Sequence, residues 1–483
     1  MRHFSEWVDR LDRQAGAGLE TVVRRHHRRR LRGLGWRDAL ESVPGAELWA
    51  PRAPVRTGNS IDVLVDGASA FGALEKAIRE ATRHVHIAGW HASPDFRLTR
   101  PNGSPLRDLL AETAERIPVR LLLWAGPPLP LFPPSRHMVK AAQQEFSRDS
   151  QVHCVLDGRE RTLHCHHEKI AILDGEVAFV GGIDLTALQG DRYDDPAHAP
   201  HEPMGWHDVA VRLQGPAVAD VAQHFIQRWG EVTGEHLPEP ATCPTSGNSD
   251  VQVLRTVPEH TYQFSPTGAF TILDAYLRGL RSARNFIYLE NQFLWSPEVV
   301  DVLVDKLEQP PADGFRILLL LPAKPSNGAD STRGQLGRLL EADADAGRLL
   351  ATTISGIGDG RSAPVYVHAK VGIIDDRWLT IGSANLNEHS LFNDTEMNVL
   401  TDDPELARRT RLRLWSEHTE QPPEALDGDA GRVIDTVWRP LAEEQARRDG
   451  QGMHRTHRLT LLPDVSRRTA RLRGPMSGLL VDG

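Results

Sequence analysis

Apolar positions along the chain fall into helical and β-type runs. Phe4, Trp7, Val8 and Leu11 recur at helical spacing, and Leu19, Val22 and Val23 continue that side. Residues 1 to about 32 therefore predict an amphipathic helix, closed by the basic run Arg24 to Arg32. A connector rich in Pro, Gly and Arg extends from Gly33 to Asn59. Beyond it, Ile61 to Val65 predicts a strand, and Phe71, Leu74, Ala77 and Ile78 mark one side of a helix. Val85 to Ile87 and Val119 to Trp124 predict two more strands. The order then returns. Strand Val251 to Leu254 precedes a helix carrying Phe270, Leu273, Leu277 and Leu280, followed by strands Phe286 to Leu289 and Phe315 to Leu321. Val85 and Ile287 are 202 residues apart, and Val119 and Phe315 are 196 apart. Matching elements at a nearly constant offset predict a duplicated α/β domain with helices covering each sheet. The period is too long for a solenoid, so the duplication is a pair.

Pro, Ser, Thr and Gly cluster in GEHLPEPATCPTSGNSD, Gly234 to Asp250, and place the boundary between the halves there. The predicted organisation is a basic helical segment (1–50), a first α/β domain (51–235), a second (250–420) and a C-terminal extension (421–483). Within the extension Val433 to Ala446 predicts a helix, and Ser466 to Arg473 is an Arg-rich tail.

Composition changes this picture little. Hydrophobic residues at 40% and charged residues at 25% describe an ordinary globular protein. A net charge of -9 argues against a dedicated nucleic-acid partner. Cys154, Cys165 and Cys243 are irregularly spaced, which is no disulfide framework and fits a reducing compartment. No long apolar run predicts a membrane span, and no apolar stretch behind the first arginines predicts a secretion signal. A cytoplasmic monomer is expected. Arg24 to Arg32 either dock on anionic lipid at the inner membrane face or lie in water on a helix packed against the domains.

Candidate chemistry lies in one doubled motif. HCHHEKIAILDGEVAFVGG places His167, Lys169 and Asp174 in the spacing H-x-K-x4-D, and VHAKVGIIDDRWLTIGSAN repeats it with His368, Lys370 and Asp375. His167 and His368 are 201 residues apart, in step with the other repeats. Lysine is rare here, yet both motif positions keep it, which points to a compact ammonium and not a guanidinium fork. Two residues apart on a strand, His167 and Lys169 share one face, while Ile170 and Ile172 take the other; Val371 and Ile373 do so in the second copy. Asp174 and Asp375 fall in turn sequences, a place suited to holding the turn. Transfer of an anionic group through a covalent intermediate needs a nucleophile, a proton for the leaving atom and positive charge beside the anion. One His and one Lys per half supply this set only where the halves meet.

The doubled motif, with GGIDLT, GDRYDDPAH and WHDVAVRLQGPAVADVAQHFIQRW after the first copy and IYLENQF, GSANLNEHS and NDTEMNV around the second, resembles the phospholipase D superfamily. Its two-motif plant and bacterial enzymes are the nearest type, over roughly Asn59 to Glu417. The plant enzymes' calcium-binding lipid-docking domain is not expected. The resemblance implies two homologous α/β sandwich domains related by a pseudo-two-fold axis, with the active site at their interface. It implies phospholipid hydrolysis or transphosphatidylation through a phosphohistidine, with His167 as nucleophile, His368 as general acid, and Lys169 and Lys370 on the phosphoryl oxygens. The family groups Asp174 and Asp375 with these catalytic residues. Asp208 and Glu396 occupy places where family members keep histidine-orienting carboxylates; a pairing crossed between the halves is expected, with the partners left open. Asn385 at a helix start, Ser383, Asn291 and Asp184 are the candidates for binding substrate, Asp184 being read also as a helix cap. His164, Cys165 and His166 lack paired ligand spacing, so no metal or other cofactor is expected. Competing readings are a cardiolipin-synthase-like phosphatidyltransferase, a nuclease or other non-lipid phosphodiesterase, and a catalytically idle lipid-binding protein. The intact His and Lys pairs argue against the last.

Overall fold

The computed structural model describes residues 18, 21–41, 48–128, 133–160, 164–324 and 329–463; most of the predicted helix over the first twenty residues, and the tail Ser466 to Arg473, lie outside them. Each half is built on a mixed sheet of the same strand order. In the first, His153–Asp157, Val119–Trp124 and Val85–Gly89 run parallel, and Lys169–Leu173, Val177–Gly181, Val209–Gln214 and Arg56–Val65 continue antiparallel. In the second the order is Leu349–Gly358, Arg316–Leu320, Phe286–Asn291, Lys370–Ile374, Trp378–Gly382, Glu396–Thr401 and Ser249–Val257. The apolar runs VRLLLW and RILLL are interior strands flanked on both sides by parallel partners, and a strand covered on both faces has no polar side to show; in the second sheet Leu459–Leu461 pairs with the far side of Leu349–Gly358. The two sheets touch through a short irregular pairing, Arg56 with Val251 and Asn59 with Ser249.

Strand alternation divides the apolar side chains among three cores. Ile170, Ile172, Val371 and Ile373 enter a central core shared by both halves and by Phe225, Trp229, Trp415 and Trp438. Ala171 and Leu173 face an outer core with Phe71, Leu74 and Ile78, under helix Asp66–Glu80. Ile374 faces the other outer core with Leu273, Leu277 and Leu280, under helix Thr271–Ser282. The predicted strands are all present, several of them longer than the apolar pattern: the first begins at Arg56, and the last is shorter, leaving Phe315 and Leu321 just outside Arg316–Leu320. Phe270 differs from its helical expectation. It closes the two-residue strand Ala269–Phe270, and the helix starts one residue later. No regular structure occurs between Thr233 and Ser249. The C-terminal helix runs from Ala430, through a π turn at Ile434–Trp438, to Gly450.

Residues 21–33 are helical and lie on the second half. Leu31 joins its outer core, His27 stacks on Phe392 with ring centroids 4.0 Å apart, and Arg30 pairs with Glu259 at 2.6 Å. Arg24 is paired with Asp301. Arg25, Arg28 and Arg29 are exposed. The basic run is thus split between a docked face and a solvated one. Among the described residues no helix is long and apolar enough to cross a membrane.

Candidate active site

Each motif histidine precedes a central strand and is held by the other half. The backbone N–H groups of His167 and Glu168 both donate to the carbonyl of Thr395, each at 2.9 Å. Those of His368 and Ala369 donate to the carbonyl of His207, at 2.8 and 3.2 Å. The residue after each accepting carbonyl is a carboxylate that reaches the tethered ring. His167 Nδ1 lies 2.8 Å from Glu396 Oε1, and His368 Nδ1 lies 2.6 Å from Asp208 Oδ2. The pairing is crossed: the second half orients the first half's histidine, and the first half orients the second's. Gly182 makes room for one of these bonds, since a Cβ there would run into the Asp208 carboxylate.

The lysines fold back onto their own motifs. Lys169 Nζ donates to the His167 carbonyl at 2.7 Å and lies 3.5 Å from Asp184 Oδ2. Lys370 Nζ donates to the His368 carbonyl and to Gln292 Oε1, the latter at 3.2 Å. The site is therefore asymmetric, with an anion beside one lysine and an amide beside the other. Asp184 caps no helix, contrary to one expectation; it is buried as the counterion of Lys169. Asn385 does not start a helix either. Asn387 does, its Oδ1 accepting from Ser390 N at 2.8 Å, while Asn385 Nδ2 donates to Gln292 Oε1 at 3.2 Å. Ser383 and Asn291, expected to meet substrate, bond the scaffold through one polar atom each, and Asn291 Nδ2 is buried with no hydrogen-bond partner among the described residues. The Ser383 hydroxyl donates to Glu396 Oε2, and Asn291 Oδ1 accepts from Leu386 N at 3.0 Å and Phe293 N at 3.2 Å.

Asp174 and Asp375, grouped with the catalytic residues by resemblance, sit at the far ends of their strands, about 20 Å of extended chain from the histidines. Asp174 accepts from the N–H groups of Thr82, Arg83 and His84 at 2.7–2.9 Å, and Asp375 from those of Arg284, Asn285 and Phe286 at 2.7–2.8 Å. Both fasten the loop that enters the neighbouring strand. The geometry corrects their grouping with the catalytic set and agrees with the turn-holding role that their turn sequences suggested.

Three contributors escaped the sequence reading. Ser390 Oγ donates to Glu396 Oε1 at 2.6 Å. Trp206 packs against the His368 ring at 4.5 Å between centroids. Arg192, buried, lies over Trp206 at 3.9 Å. Trp206 and Arg192 belong to the WHDVAV and GDRYDDPAH stretches that carried the resemblance, but neither has a pattern that marks it alone.

Burial dominates the electrostatics. It pushes the His368 pKa well below the usual histidine value, helped by the positive charges of Lys370, Lys169 and Arg192. Burial pushes Asp208 up to about 6 against the pull of Lys370, and raises Glu396 well above the carboxylate range although Lys169 and two serine hydroxyls oppose it. Positive charge converging on a neutral imidazole in a buried cleft is a site arranged to receive an anion.

Residues 77–202 match the family model described as Phospholipase D, and residues 276–416 match Cardiolipin synthase, PLD-like domain. Among characterised proteins, Phospholipase D A of Dictyostelium discoideum is 26% identical over 76% of this chain and 36% of its own length. Phospholipase D2 of Bos taurus is 28% identical over 73% and 50%, and Phospholipase D alpha 1 of Arabidopsis thaliana 24% over 84% and 71%. The chain thus spans half or less of the Dictyostelium and bovine relatives. Among solved structures, phosphatidylserine synthase of Haemophilus influenzae Rd KW20 superposes with a TM-score of 0.55 at 13% identity, covering 83% of this chain and 96% of that one, a likeness of fold.

Proposed function

We propose, since the chain belongs to the phospholipase D superfamily, that it is a phosphodiesterase cleaving or transferring glycerophospholipid headgroups through a phosphohistidine intermediate. The observation that carries this reading is the pair of imidazoles, each fixed at Nδ1 by a carboxylate of the other half, with Lys169 and Lys370 beside them. Fixing Nδ1 sets the tautomer and makes Nε2 the reacting atom of both rings.

In this mechanism His167 Nε2 attacks phosphorus and the bond to the headgroup oxygen breaks. His368 Nε2–H gives that oxygen its proton. Water or an alcohol, deprotonated by His368, then attacks phosphorus, breaks the P–N bond and releases phosphatidate or a new diester. Phosphorylation places positive charge on the His167 ring, and Glu396, whose ionisation is disfavoured by burial in the resting site, gains a partner at that moment. Burial, helped by the lysine charges, holds His368 neutral in the resting site; in this mechanism a bound phosphodiester anion offsets those charges and favours protonation of the general acid as substrate arrives.

Acid-quench or intact-mass detection of the phosphoenzyme tests the assignment. With a substrate whose leaving group is p-nitrophenol, His368→Ala should still form the adduct and turn over slowly, because that alcohol needs little protonation. His167→Ala should form none. An adduct in His167→Ala and not in His368→Ala reverses the two roles, and absence from the intact enzyme as well removes the covalent mechanism.

A transferase reading is favoured by the cardiolipin synthase description that residues 276–416 match. Mass spectrometry of products from a mixed phospholipid panel, with and without ethanol or phosphatidylglycerol as acceptor, separates transfer from hydrolysis. The exposed Arg25, Arg28 and Arg29 support peripheral contact with an anionic bilayer that would present the lipid substrate.

A further inference from the structure

Beside the cleft, three side chains unused by the chemistry converge. His164 stands three residues before His167, His389 opens the five-residue π turn that precedes Glu396, and Asp394 follows its last residue. A π turn is uncommon and here it sets two residues five apart side by side. His164 Nδ1 lies 3.2 Å from His389 Nδ1 and 3.5 Å from Asp394 Oδ1. All three ligand atoms fall within 4.8 Å of one another.

Tetrahedral coordination with bonds of about 2.0–2.1 Å places neighbouring ligand atoms about 3.3 Å apart, close to both separations. Asp394 is fully buried, and its Oδ1 accepts from Cys165 N–H at 2.9 Å, the kind of outer hydrogen bond that steadies a ligating carboxylate. Its Oδ2 is buried with no hydrogen-bond partner among the described residues, an orphaned anionic oxygen in a site with two imidazoles. A plain His–His hydrogen bond accounts for the 3.2 Å contact but leaves that oxygen unexplained. The other dense clusters differ. His207 is bonded at both ring nitrogens, to Asp66 and Glu290, each at 2.9 Å, so it has no lone pair to offer.

We propose that His164, His389 and Asp394 bind a divalent transition-metal ion of the zinc type. Two imidazoles and one carboxylate suit such an ion and discriminate against magnesium, which prefers oxygen ligands. His164 comes from the first half and the other two from the second, so the ion is a staple across the interface. It joins the segment entering His167 to the segment entering Glu396. The side chain of His164 is 18% exposed, which gives the ion a route in and leaves the fourth position for water or an anionic group. This inference is independent of the phosphodiesterase reading.

The test uses full-length protein stripped with EDTA and titrated with Zn2+, Co2+ or Mg2+ against a chromophoric chelator, with thermal unfolding in parallel. One Zn2+ per chain should bind, the melting temperature should rise with Zn2+ and not with Mg2+, and Co2+ should give visible bands of a low-coordinate site. His164→Ala and the polar replacement His164→Gln, at a partly exposed position that folding tolerates, should each weaken Zn2+ by more than roughly tenfold. His389→Ala should do the same. Stoichiometric zinc in His164→Ala with unchanged affinity overturns the proposal, as does zinc lost only on His198→Ala, which would move the ion to the buried His207 cluster. No binding above the level of the variants leaves a hydrogen-bonded histidine pair and no site.

Discussion

Asp208 carries opposed demands at one residue. It must be ionised to orient His368, yet burial pushes its pKa up to about 6. Folded Asp208 holds its proton more firmly than the unfolded chain does. Its contribution therefore favours the fold below the ordinary carboxylate range and is lost as pH rises through about 6. The loss is on the order of 2–3 kcal/mol, from a shift of about two pKa units in a fully buried group. Asp208→Asn should then melt higher than the parent protein at pH 8, with the advantage shrinking toward pH 4. Turnover should fall by roughly 10³–10⁴ through misorientation of His368. Melting curves of both proteins across this range decide it, and a variant less stable at pH 8 sinks the argument. At this scale the sequence was most legible where rare residues repeat. His167, Lys169, His368 and Lys370 stand out because lysine is scarce and both copies keep it. Ser383 and Asn291 were less legible, because a polar residue beside a cleft reads the same in sequence whether it faces a ligand or bonds the scaffold, as both do here.

Among the elements, the N-terminal helix shows how a charge run can serve two surfaces. Arg30 is largely buried and joins Glu259, Asn393 and the Phe392 carbonyl, so it braces the π turn that leads to Glu396. Arg30→Ala removes the charge-assisted hydrogen bonds to Glu259 and the bond to the Phe392 carbonyl and should cost about 2 kcal/mol, with a lower melting temperature. Replacing exposed Arg25, Arg28 and Arg29 together by Gln should leave melting unchanged. If the solvated face docks on lipid, the triple variant should lose binding to anionic vesicles and the parent should lose it in high salt. Equal vesicle binding by parent and triple variant would make the helix purely structural. Deleting the whole segment would mix the two effects, because Leu31 and His27 would go as well. Element types were readable where apolar runs or the doubled motif mark a strand, while strands such as His153–Asp157, Val177–Gly181, Leu349–Gly358 and Glu396–Thr401 were not assigned from the sequence. The π turn was not readable either, since its extra residue changes no apolar pattern, and the Thr271–Ser282 boundary shifted because Phe270 is buried equally well at the end of a strand.

For the whole molecule, the link between halves matters less than the surfaces they share. Glu239 is exposed in a stretch without regular structure. The halves are meanwhile tied by backbone hydrogen bonds that include those of His167 and Glu168 to Thr395, of Thr395 to Cys165, and of His368 and Ala369 to His207. A central core common to both sheets, holding Trp229 from the first half, Trp415 from the second and Trp438 from the C-terminal extension, adds an apolar interface that no single half can bury alone. Crossed orientation follows from this arrangement: a half on its own retains a histidine but loses the carboxylate that aims it. Covalent continuity between Gly234 and Ser249 should then be dispensable once the protein has folded. A protease site introduced at Glu239, cut after purification, should leave a nicked protein that elutes as one species and keeps turnover within about twofold. The two pieces expressed separately should each be inactive, and each should expose its share of the central core and associate or aggregate. Gel filtration and a soluble-diester assay before and after cleavage test this directly. Separation of the nicked pieces, or loss of turnover with the pieces still associated, would show that the linker itself holds the two histidines in register.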